Sequence, residues 1–200
     1  MDSNQHSGVR LWSVPRRTII AIVLAVFWLP FYEAIVHGQI TPIITGILAL
    51  AIGRGPFIRG FLVGLTAALK SPFAIMIPFV SISFGWRALL GCIVGASFAL
   101  IHPSLFLEYL NLLANLAERP YGDIGLARWL GLDVCLPLTV VICLIVSIRW
   151  RGTENSFMAI IACVVIGTAL WFHSYTPLIL PVIYFANKTA DRFWPVDSKR

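Results

Sequence analysis

The chain has 200 residues, 58% of them hydrophobic and only 12% charged, with a formal net charge of +6. A soluble domain of this size carries roughly twice that charged fraction, so composition argues for lipid as the solvent and against a water-exposed globule. The positive charge does not point to nucleic acid: the basic residues sit singly or in pairs between apolar runs, not on one polar face, which is the pattern of a membrane-topology signal.

The first apolar run, 18–36, follows Arg16 and Arg17 and carries Trp28 and Tyr32 towards its far end. It is too long for a signal peptide and lacks a small-residue cleavage site, so it is expected to stay as a helix. The polar break His37-Gly38-Gln39 precedes a second run, 40–53, closed by Arg54, Gly55 and Pro56. A third, 57–69, stops at Lys70-Ser71-Pro72, and a fourth, 73–84, stops at Gly85-Trp86-Arg87. The fifth is 88–101, the sixth 132–148, the seventh 157–172 and the eighth 177–186. The second to fourth runs are short for a full crossing and are read as snorkelling-extended or re-entrant helices. Between the fifth and sixth runs, 103–131 is mixed in character. Leu105, Tyr109, Leu112, Leu113 and Leu116 recur near helical spacing with Glu108, Asn111 and Asn115 between them, the pattern of an amphipathic helix on the membrane surface.

The expected fold class is therefore an all-α integral membrane protein. It is a multi-helix bundle of about eight transmembrane or partly re-entrant helices with an amphipathic outer-surface helix. Its parts are a cytoplasmic tail (1–17), a transmembrane helical domain (18–186, with the outer loop 103–131) and a second cytoplasmic tail (187–200). With the N-terminus inside and every run crossing, only Lys70, Arg119 and Arg128 of the 15 Lys and Arg residues fall outside, leaving 15 − 3 = 12 inside. That bias predicts cytoplasmic termini. The same arithmetic places His37, Gln39, Lys70, His102, Glu108, Asp123 and His173 at the outer side, which makes that face the place to look for a site.

Lys70 is the most informative residue. A lysine on the outer side runs against the charge rule; either an anionic partner holds it, or it snorkels to headgroups. His173, in Trp171-Phe172-His173-Ser174-Tyr175, reads either as a phosphate donor or acid–base group, or as an interfacial histidine in an aromatic belt. Glu33 within the first run is a costly carboxylate and hence a candidate, and Asp123 and Asp133 are possible bases without a motif. There is no HExxH, no GxSxG and no glycine-rich phosphate loop, and no metal or cofactor is expected. Cys92, Cys135, Cys143 and Cys163 lie inside apolar runs with no CxxC pair, and read as small buried hydrophobes rather than disulfides or zinc ligands. Gly60 and Gly64, and again Gly91 and Gly95, form GxxxG patterns that predict close helix packing.

Several stretches resemble glycosyltransferase family 87, a family of the GT-C class of membrane enzymes. They are Gly38-Gln39-Ile40-Thr41-Pro42, then Gly64-Leu65-Thr66-Ala67-Ala68-Leu69-Lys70-Ser71-Pro72, then Arg87-Ala88-Leu89-Leu90-Gly91, and finally His173-Ser174-Tyr175 with Leu178-Ile179-Leu180-Pro181. The resemblance implies transfer of a mannose-like sugar from a polyprenyl-phosphate donor on the extracytoplasmic side. It implies that Lys70 and His173 contact the donor phosphate or line the site, with Gln39 and Tyr175 nearby. It also implies a plasma membrane, presumed bacterial, with the lipid bilayer and the polyprenyl-phosphate sugar as partners. The likeness is to the C-terminal portion of the family only. Thr41 stands where the family has asparagine, and the family's first outer loop, which carries its catalytic carboxylate, has no counterpart. The expected function is thus a truncated or split transferase, with a second membrane polypeptide supplying the missing half and the catalytic residue unknown. The alternatives are a non-catalytic subunit or lipid-binding protein derived from that fold and, third, a small transporter.

Overall fold

The computed structural model describes residue 30 and residues 39–101, 130–168 and 172–193. Every regular element among them is helical. In chain order they are α1 (Thr41–Leu50), α2 (Pro56–Leu69), a 3₁₀ segment (Ser71–Ile75), α3 (Met76–Phe84), α4 (Trp86–Ala96) and a second 3₁₀ segment (Ser97–Ile101). After the gap come α5 (Leu132–Arg149), α6 (Glu154–Thr168), a third 3₁₀ segment (Phe172–Leu178) and α7 (Ile179–Phe193). The first apolar run apart from Pro30, the amphipathic segment 103–129 and both extreme tails lie outside the described residues.

The helices begin and end where local chemistry dictates. Pro42 and Pro56 occupy the first turns of α1 and α2, where a missing N–H costs nothing. Gly85 and Gly131, at φ +83° and +80°, break the chain ahead of α4 and α5, and Gly152, at φ +73°, turns it between α5 and α6. These frequent breaks overturn the membrane-spanning architecture. No described helix is long and apolar enough to cross a membrane. The longest, α5, has 18 residues and includes Asp133 and Arg149. At 1.5 Å per residue it reaches about 27 Å, short of the roughly 30 Å hydrocarbon thickness. The rest have 9 to 15 residues. The described apolar runs are short helices packed on one another around a shared core. The expected transmembrane domain 18–186, the plasma-membrane location, the cytoplasmic termini and the extracytoplasmic site lose their basis with it.

Two contacts organise the bundle. α2 and α4 pack in parallel, with α3 as the return between them. A Cβ on Gly60 or Gly64 would overlap the carbonyls of Ala88 or Cys92, and one on Gly91 or Gly95 would overlap those of Phe57 or Phe61. Both GxxxG stripes thus face each other at backbone contact, as their spacing predicts. α5 and α6 form an antiparallel hairpin closed by the turn at Gly152, with Gly167 seated against the side chain of Thr139. Around these pairs the core is built from Ile44 and Leu48 of α1, Val63 of α2, Met76 and Val80 of α3, and Phe157, Ile161 and Val164 of α6. α5 keeps most of its apolar side chains outside this core: Val134, Leu138, Val141, Ile145 and Ile148 are exposed.

Candidate functional site

α2 carries a cation near each end, and the two ends of the bundle are built differently. Arg59 sits one turn into α2 and is only 3% exposed. Its Nη2 pairs with Glu154 Oε1 at the start of α6, and its Nε donates to the Ala51 carbonyl at 3.3 Å. The guanidinium lies over the rings of Phe84 (4.1 Å to the centroid) and Phe157 (5.1 Å). Glu154 Oε1 also accepts from the Gly53 N–H at 3.3 Å, while Glu154 Oε2 is buried without a hydrogen-bond partner. Next to it, Tyr184 and Lys188 of α7 both donate to Asn155 Oδ1 at 2.8 and 2.9 Å. Burial and the Glu154 carboxylate together push the Tyr184 phenol above its usual range, so it acts here as a donor. The Ser83 hydroxyl donates to Ser156, and the Gly152 N–H to the Ser83 carbonyl. This end is a polar lock joining α1, α2, α3, α6 and α7.

At the other end of α2, Lys70 leaves the helix in extended backbone (φ −150°, ψ 104°), its N–H still bound to the Thr66 carbonyl at 2.9 Å. Lys70 is the N-cap of the 3₁₀ segment Ser71–Ile75, a position that takes non-helical backbone. The Lys70 Nζ donates to Thr41 Oγ1 at 3.2 Å, in the first turn of α1. Thr41 is fully buried, and its carbonyl accepts from the Thr45 hydroxyl at 2.9 Å. Ile40, the N-cap of α1, makes no side-chain cap bond, and its carbonyl accepts from the Ile43 and Ile44 N–H groups at 3.0 and 3.2 Å; the lysine ammonium lies beside the positive end of this helix dipole. Burial draws the Lys70 amine below the usual lysine value, because desolvation disfavours the charged form.

The expected site residues fall around this point. Gln39 is exposed, two residues before Thr41. Tyr175 belongs to the 3₁₀ segment Phe172–Leu178, packs against the core, and rides on an element that contacts α1. His173 lies on the backbone of the same segment, and its side chain is outside what the structure describes. In that segment Thr176 donates to the Pro30 carbonyl at 3.0 Å. So Lys70 reaches Thr41, and the segment bearing His173 and Tyr175 packs on the helix that follows Gln39. Glu33, His37, His102, Glu108 and Asp123 lie outside the described residues. Asp133 is exposed in the first turn of α5 with its carboxylate beside Gly131, away from Lys70's helix and from α1. No group of three or more His, Cys, Asp or Glu suited to a metal occurs among the described residues.

Sequence reading passed over the Arg59–Glu154 pair. The available signal was an arginine inside an apolar helix, a charge that has to be paired once buried. Nothing in the sequence named its partner, which lies 95 positions away. Comparison with protein-family models, with curated proteins and with solved structures yields no match.

Proposed function

We propose that the Lys70 end of the bundle binds a phosphate ester, as the donor-phosphate part of a polyprenyl-phosphate-dependent glycosyltransferase. The observation that carries this reading is the half-buried Lys70 ammonium hydrogen-bonded to Thr41 at the positive end of α1. A lysine ammonium near the positive end of a helix favours an anion, and phosphate accepts readily from such a cation. The resemblance of the sequence around Lys70 to the transferase family supports the choice of a sugar phosphodiester over other anions. In the transfer, the acceptor oxygen bonds to the anomeric carbon as its bond to the phosphate oxygen breaks. The acceptor proton goes to a base, and the phosphate leaves as an anion that Lys70 steadies.

A second reading, a non-catalytic subunit that binds the same headgroup, is favoured by the placement of the acids. The carboxylates whose side chains are described are Asp133 and Glu154; the first is exposed on α5 and the second is committed to Arg59. The base would then come from elsewhere in this chain or from another polypeptide.

The test is calorimetric titration of the purified chain with a mannosyl phosphodiester of a short prenyl alcohol, followed by a transfer assay on the same material. A hydrogen bond to a charged group is worth about 1.5–3 kcal/mol, so Lys70→Ala is expected to weaken binding by about ten- to a hundredfold, and Lys70→Arg by less. Equal binding by wild type and Lys70→Ala removes both readings. Lysine-dependent binding without transfer leaves the second.

A further inference from the structure

The α5–α6 hairpin holds a thiol pair that the site above does not use. Its register is fixed at Gly167, whose missing Cβ leaves the space filled by the Thr139 side chain. One turn later on α5 stands Cys143, and one turn earlier on α6 stands Cys163. Residues one turn apart share a helix face, so antiparallel packing sets these two cysteines opposite each other in the next layer. Each thiol shifts the titration of the other, as neighbouring sulfurs do. Cys143 is fully buried and Cys163 is partly exposed. We propose that Cys143 and Cys163 form a reversible intramolecular disulfide under peroxide, stapling α5 to α6 across the hairpin.

The asymmetry of the pair sets the order of events. The neighbouring Cys143 lowers the Cys163 thiol, and Cys163 together with burial raises Cys143. Cys163, the more exposed sulfur and the readier thiolate, attacks the peroxide oxygen. The O–O bond breaks, Cys163 becomes a sulfenic acid, and one water leaves. The Cys143 sulfur, giving up its proton, then attacks the sulfenic sulfur; the S–S bond forms as the S–O bond breaks, and a second water leaves. Two thiols and one hydrogen peroxide yield one disulfide and two waters. The remaining cysteines are poorly placed to compete. Cys92 lies on α4, where burial pushes its thiol up to about 11, and Cys135 is buried two turns before Cys143.

The experiment is brief treatment of the purified full chain with hydrogen peroxide near neutral pH, then denaturation, alkylation and mass analysis. The expected result is loss of two of the four alkylatable thiols and a linked peptide joining Cys143 to Cys163. The chain should stay monomeric without reductant, and dithiothreitol should restore all four thiols. Cys143→Ala is expected to halt the reaction at Cys163 as a sulfenic acid that a dimedone-type probe captures. The doubly substituted Cys92→Ala, Cys135→Ala chain should still form the link. Four intact thiols in the treated wild type overturn the proposal, as does a link that involves Cys92 or Cys135. The wild-type map does not depend on any variant folding.

Discussion

The two ends of α2 place the same kind of group, a long cation, in opposite circumstances. Arg59 is enclosed: a carboxylate, a carbonyl and two aromatic faces surround it, and the lock it forms ties five helices. Lys70 is half-buried and donates to the Thr41 hydroxyl at the start of α1. A buried charge with its counter-charge in place holds architecture. A half-buried ammonium near the positive end of a helix is an environment that suits an anion. The difference lies in what the fold brings to each residue, since Arg59 lies within the 14-residue α2 and Lys70 is the residue that caps its end.

The largest effect should come from breaking the paired end. Arg59→Ala leaves Glu154 facing the Gly53 N–H alone, and removal of one partner of a buried pair costs about 3–5 kcal/mol. Glu154 is 31% exposed, so the lower figure is expected. Denaturant unfolding checks this, and Lys70→Ala in the same assay should cost less, because Lys70 is half-buried where Arg59 is almost fully enclosed. Comparable losses at both ends would erase the contrast.

Next in size is the rod that connects the ends. Gly64→Val puts a side chain into the Cys92 carbonyl across the α2–α4 contact, and the neighbour that must move is backbone. Overpacking of this kind costs about 1–3 kcal/mol. Because both cations ride on α2, binding at Lys70 should weaken along with stability. A variant that loses stability yet binds the phosphodiester as wild type does would show that the lysine end is held independently of α4.

The smallest effect is a pH dependence. Burial holds the folded Lys70 amine below the ordinary lysine pKa of 10.5. Between those two values the unfolded chain binds the extra proton, so Lys70 makes stability rise with pH in that window, while below it the full desolvation cost is present. Phosphodiester affinity should move the other way, falling as pH rises through the lowered value, because the ammonium is lost while the ligand charge is constant. Titrations across that range check the sign. Lys70→Arg should flatten the profile, since a guanidinium keeps its proton.

Much of the helix pattern was legible in the sequence. Runs ending at Gly55-Pro56, at Ser71-Pro72 and at Gly85 had to end there, because proline and left-handed glycine act within a turn or two of themselves. The facing GxxxG stripes were legible for a similar reason: small residues at helical spacing mark a face that admits another backbone. Spanning was not legible. Composition measures how much apolar surface a chain has, but crossing a membrane requires that surface in one unbroken helix, and the same breaks that made the elements readable keep each of them short. The candidate site was legible only as Lys70 standing against its surroundings. That Thr41, 29 positions earlier, would meet its amine was not.

The sequence by itself determined where helices start, where they stop and which faces are smooth enough to touch. Those are local properties, set by backbone sterics and side-chain size. The tertiary structure decided that Arg59 meets Glu154, that Lys70 meets Thr41 and that Cys143 faces Cys163. Such pairings depend on the rotation and register of whole helices, which only the packing of the complete bundle fixes.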